Sequence, residues 1–234
     1  RRLTDDPAAD KGDFKIPAVL KFAVCTDSTC TPKKQQLALS LKGDKPVHLT
    51  LLGDIHVTAK QYENAIKAYD EVPASSPLRI NADTEIAVNL QRLERTKDAQ
   101  AKLNEIIARN DANYDALVTL GNVHRSNEEY PLATAAYSRA LALVENIEKD
   151  HWRVLYYRGI TFERQKIWDK AEADFRQALA LVPDEPLVLN YLGYSMIEKK
   201  INLTEALDMV KKAVELRPND GYIVDSLGWA YYQL

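Results

Sequence analysis

One pair of residues keeps returning along this sequence. Leu52-Gly53, Leu120-Gly121, Arg158-Gly159, Leu192-Gly193 and Leu227-Gly228 recur at about the length of one helical hairpin, the mark of a repeat array. Five of the chain's eight glycines occupy this single place. A unit of that size is too small to fold alone and must stack on its neighbours, so the recurring pair constrains the fold before any other residue is considered.

Aligned on the pair, units begin near Pro46, Ile80, Tyr114, Trp152, Pro186 and Gly221, at spacings of 34, 34, 38, 34 and 35 residues. Each full unit carries apolar residues at three- and four-residue steps, the period of two amphipathic helices. In the first, Leu49, Leu52 and His56 share a face, followed by Tyr62, Ala65, Tyr69 and Val72. In the fourth, Leu155, Gly159 and Phe162 are followed by Trp168, Ala171, Phe175 and Ala178. Gly53, Ala87, Gly121, Gly159 and Gly193 stand where the two helices of a hairpin would approach most closely, met from the second helix by Ala65, Ala99, Ala133, Ala171 and Ala206. Pro73, Pro77, Pro183 and Pro218 fall between units, where proline stops one helix or starts the next.

The order Leu-Gly, aromatic, Ala, aromatic, Ala, Pro over 34 residues resembles the tetratricopeptide repeat. The resemblance covers residues 46–234 and implies an all-α fold, a right-handed superhelical array of helix-turn-helix hairpins. Unit two departs from the pattern with Ile86-Ala87, unit three is followed by the insert Asn146 to His151, and unit five has one extra residue before Ala206. The sixth unit stops after its first helix, Tyr222 to Leu234, which is too apolar for a terminal cap. The expectation is a truncated last unit, with an apolar helix able to pair with a copy of itself.

Residues 1–45 follow another pattern and form a separate expected segment. Arg1 to Gly12 is a polar arm; Phe14–Cys25 and Gln36–Leu41 are strand-like and predict a short β-ribbon. The connection Cys25-Thr-Asp-Ser-Thr-Cys30-Thr-Pro32 is turn-rich. This stretch resembles part of the N-terminal periplasmic domain of bacterial thiol:disulfide interchange reductases. The cysteine pair admits three readings: a structural disulfide, a redox-active pair, or two free thiols. Whether residues 1–45 and 46–234 come from one natural polypeptide is a further open point, raised by the break in charge and periodicity at Lys45-Pro46.

Charge and composition exclude several classes. The net charge is −3, with nine Lys/Arg against six Asp/Glu in residues 1–45 and 22 against 28 in the remainder. No basic stripe suggests nucleic acid, and no apolar run approaches the roughly 20 residues that span a bilayer. The sequence has no His-Glu-x-x-His, nucleophile elbow or phosphate-cradling glycine loop, and no spacing of His48 and His56 with the cysteines fits zinc. No catalytic residue, cofactor or metal is expected. His56 and His124 read as half-buried core imidazoles, whereas His48 and His151 read as exposed unit edges.

In tetratricopeptide arrays the first helix of each hairpin lines a concave groove that usually holds the partner. Carried onto this chain, the resemblance places Thr50, Asp54, Val57, Thr84, Val88, Gln91, Asp115 and Val118 on that face in the early units. The expected partner-binding residues proper are Asn122, Arg125, Arg153, Tyr156, Ile160, Asn190, Tyr194, Tyr222, Asp225, Trp229 and Tyr232, with Ile197 on the same face. The chaperone-binding subclass clamps a C-terminal carboxylate with Lys, Asn, Asn, Lys and Arg; only Asn122 falls at a matching position, which argues against that partner. From Tyr156 onward the face turns aromatic, and aromatic rings are favoured interface anchors. They could equally pack against neighbouring helices. The wording from Leu189 to Tyr232 resembles a group of Gram-negative bacterial repeat proteins, some of them envelope lipoproteins or adaptors for periplasmic proteases and cell-wall enzymes. The expected function is therefore a protein-binding scaffold of the periplasm or cell envelope, with the cytoplasm as the other location. The alternative is a periplasmic thiol-disulfide protein that uses Cys25 and Cys30, with the array as docking arm.

Overall fold

The computed structural model describes the backbone of residues 13–25 and 30–42 and the whole of residues 44–233. Strands β1 (Asp13–Cys25) and β2 (Cys30–Lys42) pair antiparallel, from Asp13 opposite Lys42 to Cys25 opposite Cys30. The second strand thus starts at Cys30, well before the Gln36 expected from alternation. The arm of residues 1–12 and the side chains of the ribbon lie outside the described residues, and with them every reading of the cysteine pair.

Eleven α-helices follow among the described residues. A first compact unit, Arg1–Arg109, holds α1 (Lys45–Thr58), α2 (Tyr62–Asp70), α3 (Arg79–Arg92) and α4 (Thr96–Arg109). A second, Asn110–Leu234, holds α5 (Tyr114–Ser126), α6 (Tyr130–Ala142), α7 (Trp152–Arg164), α8 (Trp168–Leu181), α9 (Pro186–Glu198), α10 (Leu203–Leu216) and α11 (Gly221–Gln233). A single 3-10 turn, Lys149–His151, leads into α7. Prolines sit in the first turn of α1, α6 and α9, where no backbone donor is lost. Asn113 caps α5 by accepting from the Ala116 amide at 2.8 Å.

Each hairpin has a left-handed residue at the same place in its turn. Lys60, Glu94, Glu128, Lys166 and Lys200 have φ of 57, 60, 62, 64 and 57°. The amide that follows each returns to the carbonyl five residues back: Gln61 to His56, Arg95 to Leu90, Glu129 to His124, Ile167 to Phe162 and Ile201 to Met196. This closure satisfies the last carbonyls of the first helix. None of the five is glycine, so each turn bears about 1 kcal/mol of backbone strain.

The glycine of the recurring pair faces a ring on the second helix. A Cβ on Gly53 would lie 2.3 Å from Tyr69, one on Gly121 2.4 Å from Tyr137, and one on Gly159 2.6 Å from Phe175. In the second hairpin Ala87 and Leu103 fill the same two places, both fully buried. Gly193 differs: the Ala206 carbonyl and Val210 Cγ2 stand 2.8 Å from its Cβ position, because the turn after α9 is one residue longer and Asn202 also takes a left-handed φ of 44°. Tyr69, Tyr137 and Phe175 are almost wholly excluded from solvent, and burying such a side chain contributes about 1.5–3 kcal/mol.

Buried charge is paired within each unit. Asp83 on α3 is 2% exposed and meets Arg79 at 2.5 Å, Lys102 at 3.2 Å and Arg109 at 3.7 Å. Burial pushes its pKa up, but Arg79 and Lys102 outweigh that and hold it below the usual carboxylate range. In the second unit Arg158 forks onto Asp174 through Nε and Nη2 at 2.8 and 2.7 Å, joining α7 to α8. This explains why Arg158 stands where the other units have leucine or isoleucine: its stem covers the core and its head finds a carboxylate.

Two predictions follow from these contacts. Gly121→Ala drives a methyl into the immobile Tyr137 ring and lowers stability by about 1–2 kcal/mol after its gain in helix propensity. At Gly228 nothing lies within 4 Å of the Cβ position, so Gly228→Ala stabilises by about 0.5–1 kcal/mol. Urea unfolding of both variants checks the opposite signs. Asp83→Ala costs about 3 kcal/mol by removing the buried carboxylate that Arg79, Lys102 and Arg109 share. Because the folded pKa of Asp83 is depressed, its contribution is present above the unfolded pKa near 4 and is lost as pH falls through the lower folded value. Asp83→Asn flattens that acid slope in a pH series of thermal melts.

Candidate protein-binding surface

In the second unit, α7, α9 and α11 bring together part of the expected aromatic face. Tyr156 of α7, Asn190, Tyr191 and Tyr194 of α9, and Tyr222 and Asp225 of α11 line a cleft of about 420 Å³ together with Leu187, Asp220, Ile223 and Ser226. Five of its residues, Tyr156, Asn190, Tyr194, Tyr222 and Asp225, belong to the expected binding set. Leu187, Tyr191, Asp220, Ile223 and Ser226 do not. The signal for two of them was available: Leu187, Asn190, Tyr191 and Tyr194 are spaced i, i+3, i+4, i+7, one continuous helical stripe rather than a single row.

The inner wall is rigid. The Tyr156 ring lies 5.4 Å from Tyr157, 6.1 Å from Phe175 and 5.9 Å from Tyr191, the last edge-on at 89°. Burial, then Tyr157, pushes the Tyr156 phenol up to about 12, so it is a neutral donor at physiological pH. The outer wall is open: Tyr194 is 37% and Tyr222 90% exposed. The α11 N-terminus is set by Asp220, whose Oδ1 accepts from the Tyr222 amide at 3.2 Å. Asn190 Oδ1 is buried and accepts no hydrogen bond among the described residues.

The remaining expected residues lie elsewhere. Asn122 is spent inside its hairpin, where its Oδ1 accepts from Tyr137 Oη at 2.8 Å. Asp54 does the same for Tyr69 at 2.6 Å in the first unit. Arg125 lies over the Tyr157 ring, 4.4 Å from its centre, and exposed Arg153 over Trp152 at 4.9 Å. Ile160 is half-buried against the core of the unit. Trp229 donates through Nε1 to Glu198 of α9 and stacks on Tyr232, with centroids 5.4 Å apart. Tyr232 is 79% exposed, and Val224 and Tyr231 are also exposed on α11. Three expected placements are corrected, those of Ile197, His48 and His151. Ile197, at 1% exposure, belongs to the core because the groove face of α9 turns away by that residue, and His48, expected at an exposed edge, is buried in the first turns of α1. His151 is half-buried: its Nδ1 accepts from the Glu148 amide, and its ring lies edge-on to Tyr114. The other two imidazoles are half-buried and partnered, His56 with Gln61 and His124 with Glu129.

No group of three or more His, Cys, Asp or Glu residues suited to a metal occurs among the described residues. The cleft instead offers planar rings, carboxylates and an amide oxygen, groups that bind and orient. The structural role of Asn122 has a measurable consequence. Asn122→Ala leaves the buried Tyr137 hydroxyl without its acceptor and costs about 1–2 kcal/mol. Tyr137→Phe removes most of that penalty, and a double-mutant cycle read by urea unfolding measures the coupling.

Residues 84–146 and 118–186 match the tetratricopeptide-repeat family. A TPR repeat-containing protein of Pseudomonas aeruginosa is 35% identical over 80 residues, 34% of this chain and 14% of that protein. The human protein O-mannosyl-transferase TMTC1 is 24% identical over 180 residues, 76% of this chain and 20% of that protein. The chain therefore spans a fifth or less of these curated relatives. The crystal structure of a tetratricopeptide repeat protein from Parabacteroides merdae superposes with a TM-score of 0.67, covering 82% of this chain and 74% of the other at 17% identity, a likeness of fold. No helix among the described residues is long and apolar enough to cross a membrane.

Proposed function

From the premise that this chain is a tetratricopeptide-repeat protein, we propose that it is a scaffold that holds a segment of another protein against α7, α9 and α11, with no catalysis of its own. The observation that carries this reading is the cleft itself: a rigid inner wall of Tyr156 and Tyr191 beside exposed Tyr194 and Tyr222. Rings of this kind provide contact area at little conformational cost, and an extended segment can run along the line from Arg153 to Tyr232. Residues 1–45 and 46–234 are proposed as separate parts, the second carrying the binding. A place in the periplasm or envelope, and a protease or cell-wall enzyme as partner, belong to the same proposal. They are supported only by the resemblance of residues 189–232 to Gram-negative repeat proteins.

The test is comparative capture. Extract proteins retained by the intact chain are identified by mass spectrometry beside those retained by Tyr194→Ser combined with Tyr222→Ser. Both side chains are exposed, so helical circular dichroism stays unchanged while retention of the specific partner falls at least about tenfold, as loss of interface anchors predicts. Equal retention by the double variant overturns the groove reading.

A further inference from the structure

We propose that the cleft between α7, α9 and α11 takes one arginine side chain of the partner segment; this rests on the groove reading above. Its walls and its polar atoms are mismatched in a way that a guanidinium corrects. Asp225 lines the cleft and forms no ion pair among the described residues. Asp220 is only distantly met by Arg217, at 4.0 Å, and that guanidinium is shared with Glu185 at 3.8 Å. Asn190 adds a buried amide oxygen that no donor reaches. The cleft thus carries two carboxylates, and no lysine or arginine is among the residues that line the space.

The aromatic walls point to the same ligand. Tyr156, Tyr191, Tyr194 and Tyr222 line the cleft, and cations within about 6 Å of a ring centre are attracted by its quadrupole. After burial, the charges of Glu198 and Asp225 raise the Tyr194 phenol, as expected of a negative local potential. A volume of about 420 Å³ admits one long side chain with some backbone rather than a folded element. Arginine fits better than lysine because its planar head can stack on exposed Tyr194 or Tyr222 while its fork of N–H groups meets the Asp225 carboxylate. An acidic side chain would face Asp220 and Asp225, and an aliphatic one would leave Asp225 without a cation.

The test uses N-acetyl-arginine amide, with the lysine, norleucine and glutamate amides beside it, titrated into the intact chain and followed by two-dimensional NMR. Arginine amide is expected to give saturable shifts confined to Asn190, Tyr194, Asp225 and their neighbours, lysine amide weaker ones, and the other two none. Asp225→Asn, at an exposed position, should weaken arginine amide about tenfold, the loss of one charge-assisted hydrogen bond, and leave helical circular dichroism unchanged. Absence of saturable shifts, or equal shifts with norleucine amide, overturns the proposal. A captured partner that depends on Tyr194 and Tyr222 but is indifferent to Asp225→Asn overturns it too, and leaves the groove reading standing. Indifference to the tyrosine variant removes both.

Discussion

The contact on which three of the five hairpins depend is the seating of an aromatic ring on a bare stretch of helix backbone. Gly53, Gly121 and Gly159 let Tyr69, Tyr137 and Phe175 come within a distance that no side chain would permit. That close approach accompanies full burial of Ala65, Ala133 and Ala171 on the second helices and leaves the ring almost wholly excluded from water. The dispersion and burial gained there offset the entropic penalty of a glycine inside a helix. Where the ring carries a hydroxyl, the residue after the glycine completes the seat: Asp54 accepts from Tyr69 and Asn122 from Tyr137. Phe175 has no hydroxyl, and Ile160 follows its glycine.

The same position changes its task along the second unit. At Asn122 it belongs to the core of a hairpin, at Tyr194 it stands open at the cleft, and at Trp229 it reaches back to Glu198. Fold and recognition compete for one helical position, and the outcome turns on whether the second helix supplies a hydroxyl to satisfy. With Val210 and the Ala206 carbonyl against Gly193, nothing on α10 asks for a polar partner there. Tyr194 is thereby left for the surface.

The helical period, the glycine positions and the aromatic second helix were legible in the sequence because each is a local rule repeated many times. What was not legible depends on pairs far apart in the chain. Arg158 reads as an irregular Leu-Gly pair until Asp174 is found beside it. Asn122 reads as a groove amide until Tyr137 is seen to use it. His48 reads as an edge residue because its burial comes from helices packed over it. The charged residues at the left-handed turns carry no signature either, since glycine is the usual marker and is absent from all five. The candidate cleft was legible in part: the stripe of Leu187, Asn190, Tyr191 and Tyr194 on α9 follows from helical spacing, but the part taken by Asp220 and Ser226 required the packing of α11 on α9.

The longer turn between α9 and α10 reaches beyond its own geometry. The three hairpins with the ring-and-glycine seat have turns of equal length and share one backbone scheme, so their helices could be exchanged where the polar pairs travel with them, Asn122 with Tyr137 and Arg158 with Asp174. The α9–α10 pair lacks that compatibility. Its glycine meets a backbone carbonyl and a valine, and its turn has an additional residue. In recombination or design this pair has to be inherited whole, and the open Tyr194 travels with it.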